Sequence, residues 1–308
     1  MDIIDGVYLN AGDVNLFIKV LGEGNPPIII EPAIGGLSVE WYYIQKELSK
    51  ITTVVTYDRA GYAESPSSNA PRNSFNIANH LFNLLFNSDV EHPYILIGHL
   101  EGGLYVQHFA KMFHHYVAGV VLVDSLFQDY FKLESEDFPD YFEIASYTTK
   151  INNLQKLVDL DKESFKRRIT PLLEEFYQNF PDEYRVPIIS YQSDKKFFET
   201  IIKEMKELRE SIDEIAKINS FPNVPLYVIT HDPKVMESLS VQIGIPIEQA
   251  KKIEEFWIEN QKELAQLSPQ GKLLLAENSD RNIHYSNPLF LLDKIKNIVV
   301  EIRNKEDR

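Results

Sequence analysis

The chain has 308 residues, and 44% of them are hydrophobic, so it can bury the core of one large domain. Its 31 basic and 46 acidic side chains give a formal charge of −15, which opposes binding to nucleic-acid phosphates and to anionic membrane surfaces. It contains no cysteine, which excludes disulfides, thiolate nucleophiles and cysteine metal sites.

The start of the chain indicates a cytoplasmic protein. Its first 16 residues hold three aspartates and no basic side chain, unlike a secretory signal. No apolar run approaches the roughly 20 residues that are needed to span a bilayer. We therefore expect neither a membrane association nor a nucleic-acid partner.

The predicted secondary structure alternates short β-branched strands with longer segments of helical period. The strands are predicted at residues 6–10, 15–21, 27–31, 53–57, 94–98, 119–123, 226–230 and 272–276. The helices are predicted at residues 38–49, 74–86, 101–113, 246–266 and 288–302. This alternation is typical of an α/β protein, in which helices cover both faces of a mostly parallel sheet.

The alternation is interrupted between Ser125 and Pro222 by a charged stretch that is rich in helix-forming residues. We interpret residues 126–222 as a helical cap, or lid, inserted into the chain. The core domain is then predicted to consist of residues 1–125 and 223–308.

One segment has the pattern of a catalytic turn but lacks the catalytic residue. A buried strand leads into Gly98-His99-Leu100-Glu101-Gly102, and a helix follows, which is the context of a G-x-S-x-G nucleophile elbow. The two glycines let the strand and the helix approach each other closely. Leu100 stands at the serine position, and its side chain has no lone pair with which to attack a substrate.

Further motifs accompany this turn: Glu31-Pro32-Ala33-Ile34-Gly35-Gly36, the segment 56–65 around Asp58 and Arg59, and the segment 279–288. With them the chain resembles the α/β-hydrolase superfamily, in particular single-domain esterase-like and aminopeptidase-like members with a helical cap. The resemblance implies a mostly parallel sheet of about eight strands flanked by helices. It also implies an oxyanion site formed by backbone N–H groups, with Ala33, Ile34 and Glu101 as the candidate donors and Leu100 at the pocket floor.

The resemblance places the family's catalytic histidine on Arg281. A guanidinium stays protonated at ordinary pH and cannot accept a proton from a nucleophile. The family's acid falls on Asp232 or, alternatively, on Asp124. The side chains left as substitute catalytic groups are His284, Glu101, Asp124 and Ser125.

Two of the three triad positions therefore carry residues that cannot perform their steps. We predict a pseudoenzyme that has lost hydrolase activity and works as a small-molecule-binding or regulatory protein, without cofactor or metal. An apolar floor at Leu100 beside the cationic Arg281 favours an apolar small molecule with an anionic head, and a protein partner is the other candidate. The alternative is an active hydrolase, esterase-like or aminopeptidase-like, or a lyase that uses non-standard catalytic residues.

Overall fold

The computed structural model describes residues 5–218 and 220–306. One eight-stranded sheet has the strand order β1-β2-β4-β3-β5-β6-β7-β8. Its strands are β1 (Val7–Asn10), β2 (Asn15–Leu21), β3 (Ile28–Glu31), β4 (Val54–Tyr57), β5 (Tyr94–His99), β6 (Val117–Val123), β7 (Leu226–Thr230) and β8 (Gly271–Leu275). The pairs β1–β2 and β2–β4 are antiparallel, whereas the pairs from β4 to β8 are parallel.

Helices surround this sheet and fill the segment before β7. In chain order they are α1 (Tyr42–Leu48), α2 (Ser74–Phe86), α3 (Glu101–Met112), α4 (Pro139–Ala145), α5 (Tyr147–Val158), α6 (Lys162–Phe176), α7 (Asp182–Gln192), α8 (Lys195–Lys206), α9 (Leu208–Ala216), α10 (Pro233–Gln242), α11 (Ile247–Ala265), α12 (Ile283–Ser286) and α13 (Pro288–Glu306). Short 3₁₀ segments lie at Ser38–Trp41, His114–Tyr116 and Tyr130–Glu134. None of the helices in the described part of the chain has the length and apolarity required to cross a membrane.

The central strands are apolar throughout because both of their faces are buried. In β5, Leu96 joins the core formed with α2, α3 and α11, whereas Ile95 and Ile97 join the core formed with α1 and α13. Successive side chains of a strand point to opposite faces, so one short run supplies both cores. This layering brings the carboxyl ends of β5, β6 and β7 together at one edge, where the candidate site lies.

A buried ion cluster attaches the predicted cap to the core. Glu204, on α8, is fully buried, and its carboxylate lies 2.9 Å from Arg59 and 2.8 Å from Arg72. The hydroxyls of Tyr62 and Tyr105 donate to the same carboxylate at 2.8 and 2.9 Å. A buried charge is tolerated only with such partners, so the cluster holds α8 in one position over the core.

The predicted α/β-hydrolase fold is confirmed, and each predicted strand agrees with the structure to within two residues at either end. The described part of residues 126–222 contains α4 to α9 and no strand. Two helices, α10 and α12, were absent from the predictions. Helix α10 begins shortly after β7 because Asp232 accepts the backbone N–H of Lys234 and Pro233 occupies the first turn, a strong start signal for a helix.

Candidate active site

Leu100 occupies a turn with the backbone geometry of a nucleophile elbow. It lies between β5 and α3 with φ 48° and ψ −114°, a conformation that costs a non-glycine residue about 1–3 kcal/mol. Its N–H donates to Val123, and its carbonyl accepts the N–H groups of Gly103 and Leu126. Its side chain is partly buried and packs against the core formed with α2, α3 and α11. The strained turn is thus present, although the side chain that it presents cannot react.

The glycines around the turn are required by the close approach of neighbouring backbone and side-chain atoms. A Cβ on Gly102 would lie 2.3 Å from the carbonyl oxygen of Glu31, and one on Gly103 would lie 2.0 Å from the hydroxyl oxygen of Ser125. Both distances are far below a van der Waals contact. The turn therefore keeps the tight strand-to-helix packing of a catalytic elbow.

The carboxylate of Glu101 occupies the predicted oxyanion site. One of its oxygens accepts the backbone N–H of Ile34 at 3.0 Å, and the other accepts a short hydrogen bond from the hydroxyl of Tyr147, on α5. Glu101 is only 6% exposed. A donor that an oxyanion would need is therefore already bound to an acceptor of the protein itself.

Arg281 lies against an aromatic ring between two acidic side chains. Its guanidinium carbon is 3.8 Å from the centre of the Trp257 ring. Its nitrogens are 4.0 Å from Asp124, at the end of β6, and 3.6 Å from Glu254, on α11. These are ion-pair distances but not hydrogen bonds, since Arg281 Nε, Asp124 Oδ2 and Glu254 Oε1 have no hydrogen-bond partner among the described residues. Arg281 thus takes part in a mixed charge cluster.

The fourth charged member of this cluster is His231, directly after β7. Its Nδ1 lies 2.7 Å from Asp124, its Nε2 lies 2.5 Å from Glu254, and its side chain is fully buried. Burial alone would lower its pKa, but the two carboxylates outweigh burial and raise the pKa of His231 to about 9. Burial would likewise favour the neutral acid at Asp124, yet His231 and Arg281 hold the pKa of that carboxyl below its usual value. His231 and Arg281 therefore both lie beside the side chains of Asp124 and Glu254.

The two candidate acids lie in different surroundings. Asp124, with φ 48°, accepts hydrogen bonds from His231 and Trp257 and faces Arg281. Asp232 instead caps α10 and accepts the backbone N–H of Asn278 at 3.0 Å. Of the two, Asp124 is the one that lies beside Arg281, the residue at the predicted histidine position.

The other candidate side chains are structurally engaged. The hydroxyl of Ser125 donates to the carbonyl of Leu126 at 2.8 Å. His284 is buried and its ring stacks on Trp41, with 4.4 Å between the ring centres. Ala33 lies in the turn that ends in Gly36, where its carbonyl accepts a backbone N–H. Within residues 5–218 and 220–306, no group of three or more His, Asp or Glu side chains is arranged so that it could hold a metal ion.

The sequence patterns did not point to Glu254, His231 or Tyr147 as members of this region. A signal for Glu254 existed, because it lies on the buried stripe of α11 together with Ile253 and Trp257. A carboxylate at a core position of a helix needs a cationic partner. For Tyr147 no such signal existed, because its contact crosses from the cap to the core.

The chain belongs to the α/β hydrolase fold family, whose model matches residues 26–244. It is 23% identical over 316 residues to an AB hydrolase superfamily protein of Gibberella zeae, covering 94% of this chain and 92% of that one. The solved structure of a thermophilic esterase from Thermogutta terrifontis superposes with a TM-score of 0.64 at 17% identity, over 97% of this chain and 99% of the esterase. At 17% identity, this structural similarity establishes the shared fold.

Two curated relatives match at 30% identity, but over parts of their length. One is efuK of Hormonema carpetanum, named a probable transporter, which matches over 125 residues, 38% of this chain. The match spans 18% of the length of efuK and 43% of the length of the second relative.

Proposed function

We propose that this α/β-hydrolase-fold protein does not hydrolyse esters by the serine mechanism and works as a binding or regulatory protein. The observation that carries the proposal is the contact between the Glu101 carboxylate and the N–H of Ile34. Catalysis of acyl transfer needs that donor free for the developing oxyanion. Here the protein supplies its own acceptor, beside a leucine that cannot attack.

The cluster around Arg281 supports the same proposal. A general base must be unprotonated so that it can accept the proton of the nucleophile, and neither an arginine nor a histidine with a pKa of about 9 is available as a free base at neutral pH. Together with Leu100, the nucleophile and base positions both lack the required chemistry.

The proposed binding partner is an apolar small molecule or another protein. Leu100 and the rings of Tyr130 and Tyr147, 5.3 Å apart, give this region an apolar and aromatic character. The anionic head predicted from Arg281 has less support, because Asp124 and Glu254 balance that charge. The proposed ligand therefore makes its main contacts through its apolar part.

One observation favours the alternative, an active hydrolase with non-standard groups. Glu101 is a buried carboxylate next to the nucleophile position, and it is hydrogen-bonded to the hydroxyl of Tyr147. A carboxylate so placed can serve as a nucleophile or a general base. The membership of the family is compatible with both possibilities.

An ester assay separates the two. The wild-type chain and Glu101→Gln are assayed with short-chain 4-nitrophenyl esters and aminoacyl substrates, with Glu199→Gln, an exposed glutamate on α8, as the matched control. We expect no turnover above buffer in all three proteins. Turnover by the wild type and the control that disappears in Glu101→Gln would overturn the proposal and establish the alternative.

Variants that restore the triad test whether the Glu101 contact with Ile34 blocks catalysis. Leu100→Ser with Arg281→His supplies a nucleophile and a base, and adding Glu101→Ala frees the N–H of Ile34. Because one oxyanion donor is worth about 10²–10³ in kcat, we expect the triple variant to exceed the double variant by about 100-fold. Equal esterase rates in the two variants would show that the Glu101 contact does not obstruct the site.

A further inference from the structure

A cavity of about 330 Å³ opens between the core and the cap, apart from the turn at Leu100. Residues of the core segments 39–44 and 284–285 and of the cap segment 179–188 line it. A volume of this size falls at the lower end of the roughly 300–1,000 Å³ typical of ligand sites. Tyr130 and Tyr147, the rings near the turn, are only 2% and 4% exposed. An apolar ligand can therefore reach more surface in the cavity than at these two rings.

The accessible part of the lining is largely aromatic. Tyr43 is 41% exposed, and Phe180, Tyr184 and Tyr285 are partly buried. Only side chains with exposed surface can contact a ligand, so these four supply much of the contact area. The lining residues that offer little surface, at 7% exposure or less, are Val39, Ile44, Ile188 and His284.

Aromatic pairs already join the cap to the core at this cavity. The ring of Phe180 packs edge-on against Tyr285 with 4.9 Å between the ring centres, and Tyr184 packs against Tyr42 at 5.7 Å. Aromatic rings at such separations, roughly 4.5–7 Å, attract each other beyond the burial of their surface. A planar aromatic molecule in the cavity would extend this arrangement and contact both the cap and the core.

The charges of the lining disfavour ionic ligands. No lysine or arginine lines the cavity within the described part of the chain, so an anion would face the carboxylate of Glu40 without a counter-charge. That carboxylate already accepts the N–H of Leu37 at 2.6 Å and the hydroxyl of Tyr177 at 2.7 Å, one on each oxygen. A cation would give up its hydration for a carboxylate that already has two donors, which is costly. An uncharged ligand avoids both costs.

We propose that this cavity binds an uncharged aromatic molecule of about two fused rings, held by aromatic side chains of both the cap and the core. A polar substituent of such a ligand would lie at the mouth, where Asn179 is exposed. The proposal rests on the proposed binding function, which it deepens by naming a ligand class and a place for it. Binding is measured without any ester, so its failure is distinct from a failure of the proposed function, which the ester assay decides.

Calorimetric titration with 2-naphthol tests the site, with three probes of similar shape for comparison. Decahydro-2-naphthol is uncharged but not aromatic, naphthalene-2-carboxylate is an anion, and naphthalen-2-ylmethylammonium is a cation. We expect 2-naphthol to bind about 2- to 10-fold more tightly than decahydro-2-naphthol, the gain of ring contacts over burial alone. We expect both ions to bind at least about tenfold more weakly than 2-naphthol.

Variants that remove a ring from the lining test the aromatic contacts. Tyr43→Leu, at an exposed position, and Tyr184→Leu should each weaken binding of 2-naphthol about threefold or more and change that of decahydro-2-naphthol less. Tyr8→Leu is the matched control, because Tyr8 is 51% exposed on β1 and lies outside the cavity, and it should bind as the wild type does. In the wild type, nuclear Overhauser effects between 2-naphthol and the ring protons of Tyr43 and Phe180 should place the ligand without any variant.

Four outcomes would overturn the inference. No binding of 2-naphthol up to about 1 mM, or equal binding by the wild type, Tyr43→Leu and Tyr184→Leu without Overhauser effects to the lining rings, would remove the site. Equal binding of 2-naphthol and decahydro-2-naphthol would remove the aromatic class. Tighter binding of either ion than of 2-naphthol would remove the uncharged class.

Discussion

Replacing Glu204 by glutamine should destabilise the protein more than any exposed charge change. The carboxylate is fully buried and is shared by Arg59 and Arg72 at 2.9 and 2.8 Å, with two tyrosine hydroxyls completing its hydrogen bonds. Removing one partner of a buried ion pair costs about 3–5 kcal/mol, because the charge that is left behind stays buried without its partner. Here Arg72 loses its carboxylate, whereas Arg59 keeps an ion pair with Glu31 at 2.6 Å. A domain is stable by about 5–15 kcal/mol in total, so this loss is a large fraction.

Urea unfolding followed by circular dichroism measures the loss, with Glu199→Gln on the same helix as the exposed control. The control should change the free energy of unfolding by less than about 0.5 kcal/mol. If Glu204→Gln changed it by less than about 1 kcal/mol, the cluster would not hold the cap to the core as argued.

The pH dependence provides a further check on the same residue. Burial would raise the pKa of Glu204, but Arg59 and Arg72 outweigh it and hold the pKa below its usual value. A carboxyl with a lowered folded pKa stabilises the protein above its unfolded pKa of about 4.3, and the stabilisation is lost as the pH falls through the folded pKa. The difference between the wild type and Glu204→Gln should therefore shrink below about pH 4.

Three further predictions concern the candidate site. His231 has a raised pKa of about 9, so the stability that it contributes is complete below its unfolded pKa of about 6.5 and is lost as the pH rises through 9. Urea unfolding should show this loss in the wild type and not in His231→Gln. Gly103→Ala should destabilise the fold by more than about 3 kcal/mol, because its Cβ would lie 2.0 Å from the Ser125 hydroxyl, and adding Ser125→Gly should recover part of that loss in the same assay. Tyr147→Phe should cost about 1.5–3 kcal/mol in thermal unfolding, because the Glu101 carboxylate loses a donor, and an unchanged midpoint would contradict that contact.

The candidate turn was predictable because its determinants are local. Gly98 and Gly102, a buried strand before Leu100 and a helix after it define the elbow in a few residues, and the structure has φ 48° at Leu100. The choice between the two acids was not predictable. Asp124 and Asp232 both follow strands, and the tertiary structure places Asp124 beside Arg281 while Asp232 caps α10.

The sequence by itself determined the alternating strands and helices and the strained turn at Leu100. These follow from side-chain type and from patterns within a few residues, which act before any distant contact forms. The tertiary structure alone decided that the carboxylate of Glu101 meets the N–H of Ile34, 67 positions away, and that Glu204 meets Tyr62 across 142 positions. Such contacts depend on how the chain closes on itself, so no local pattern specifies them.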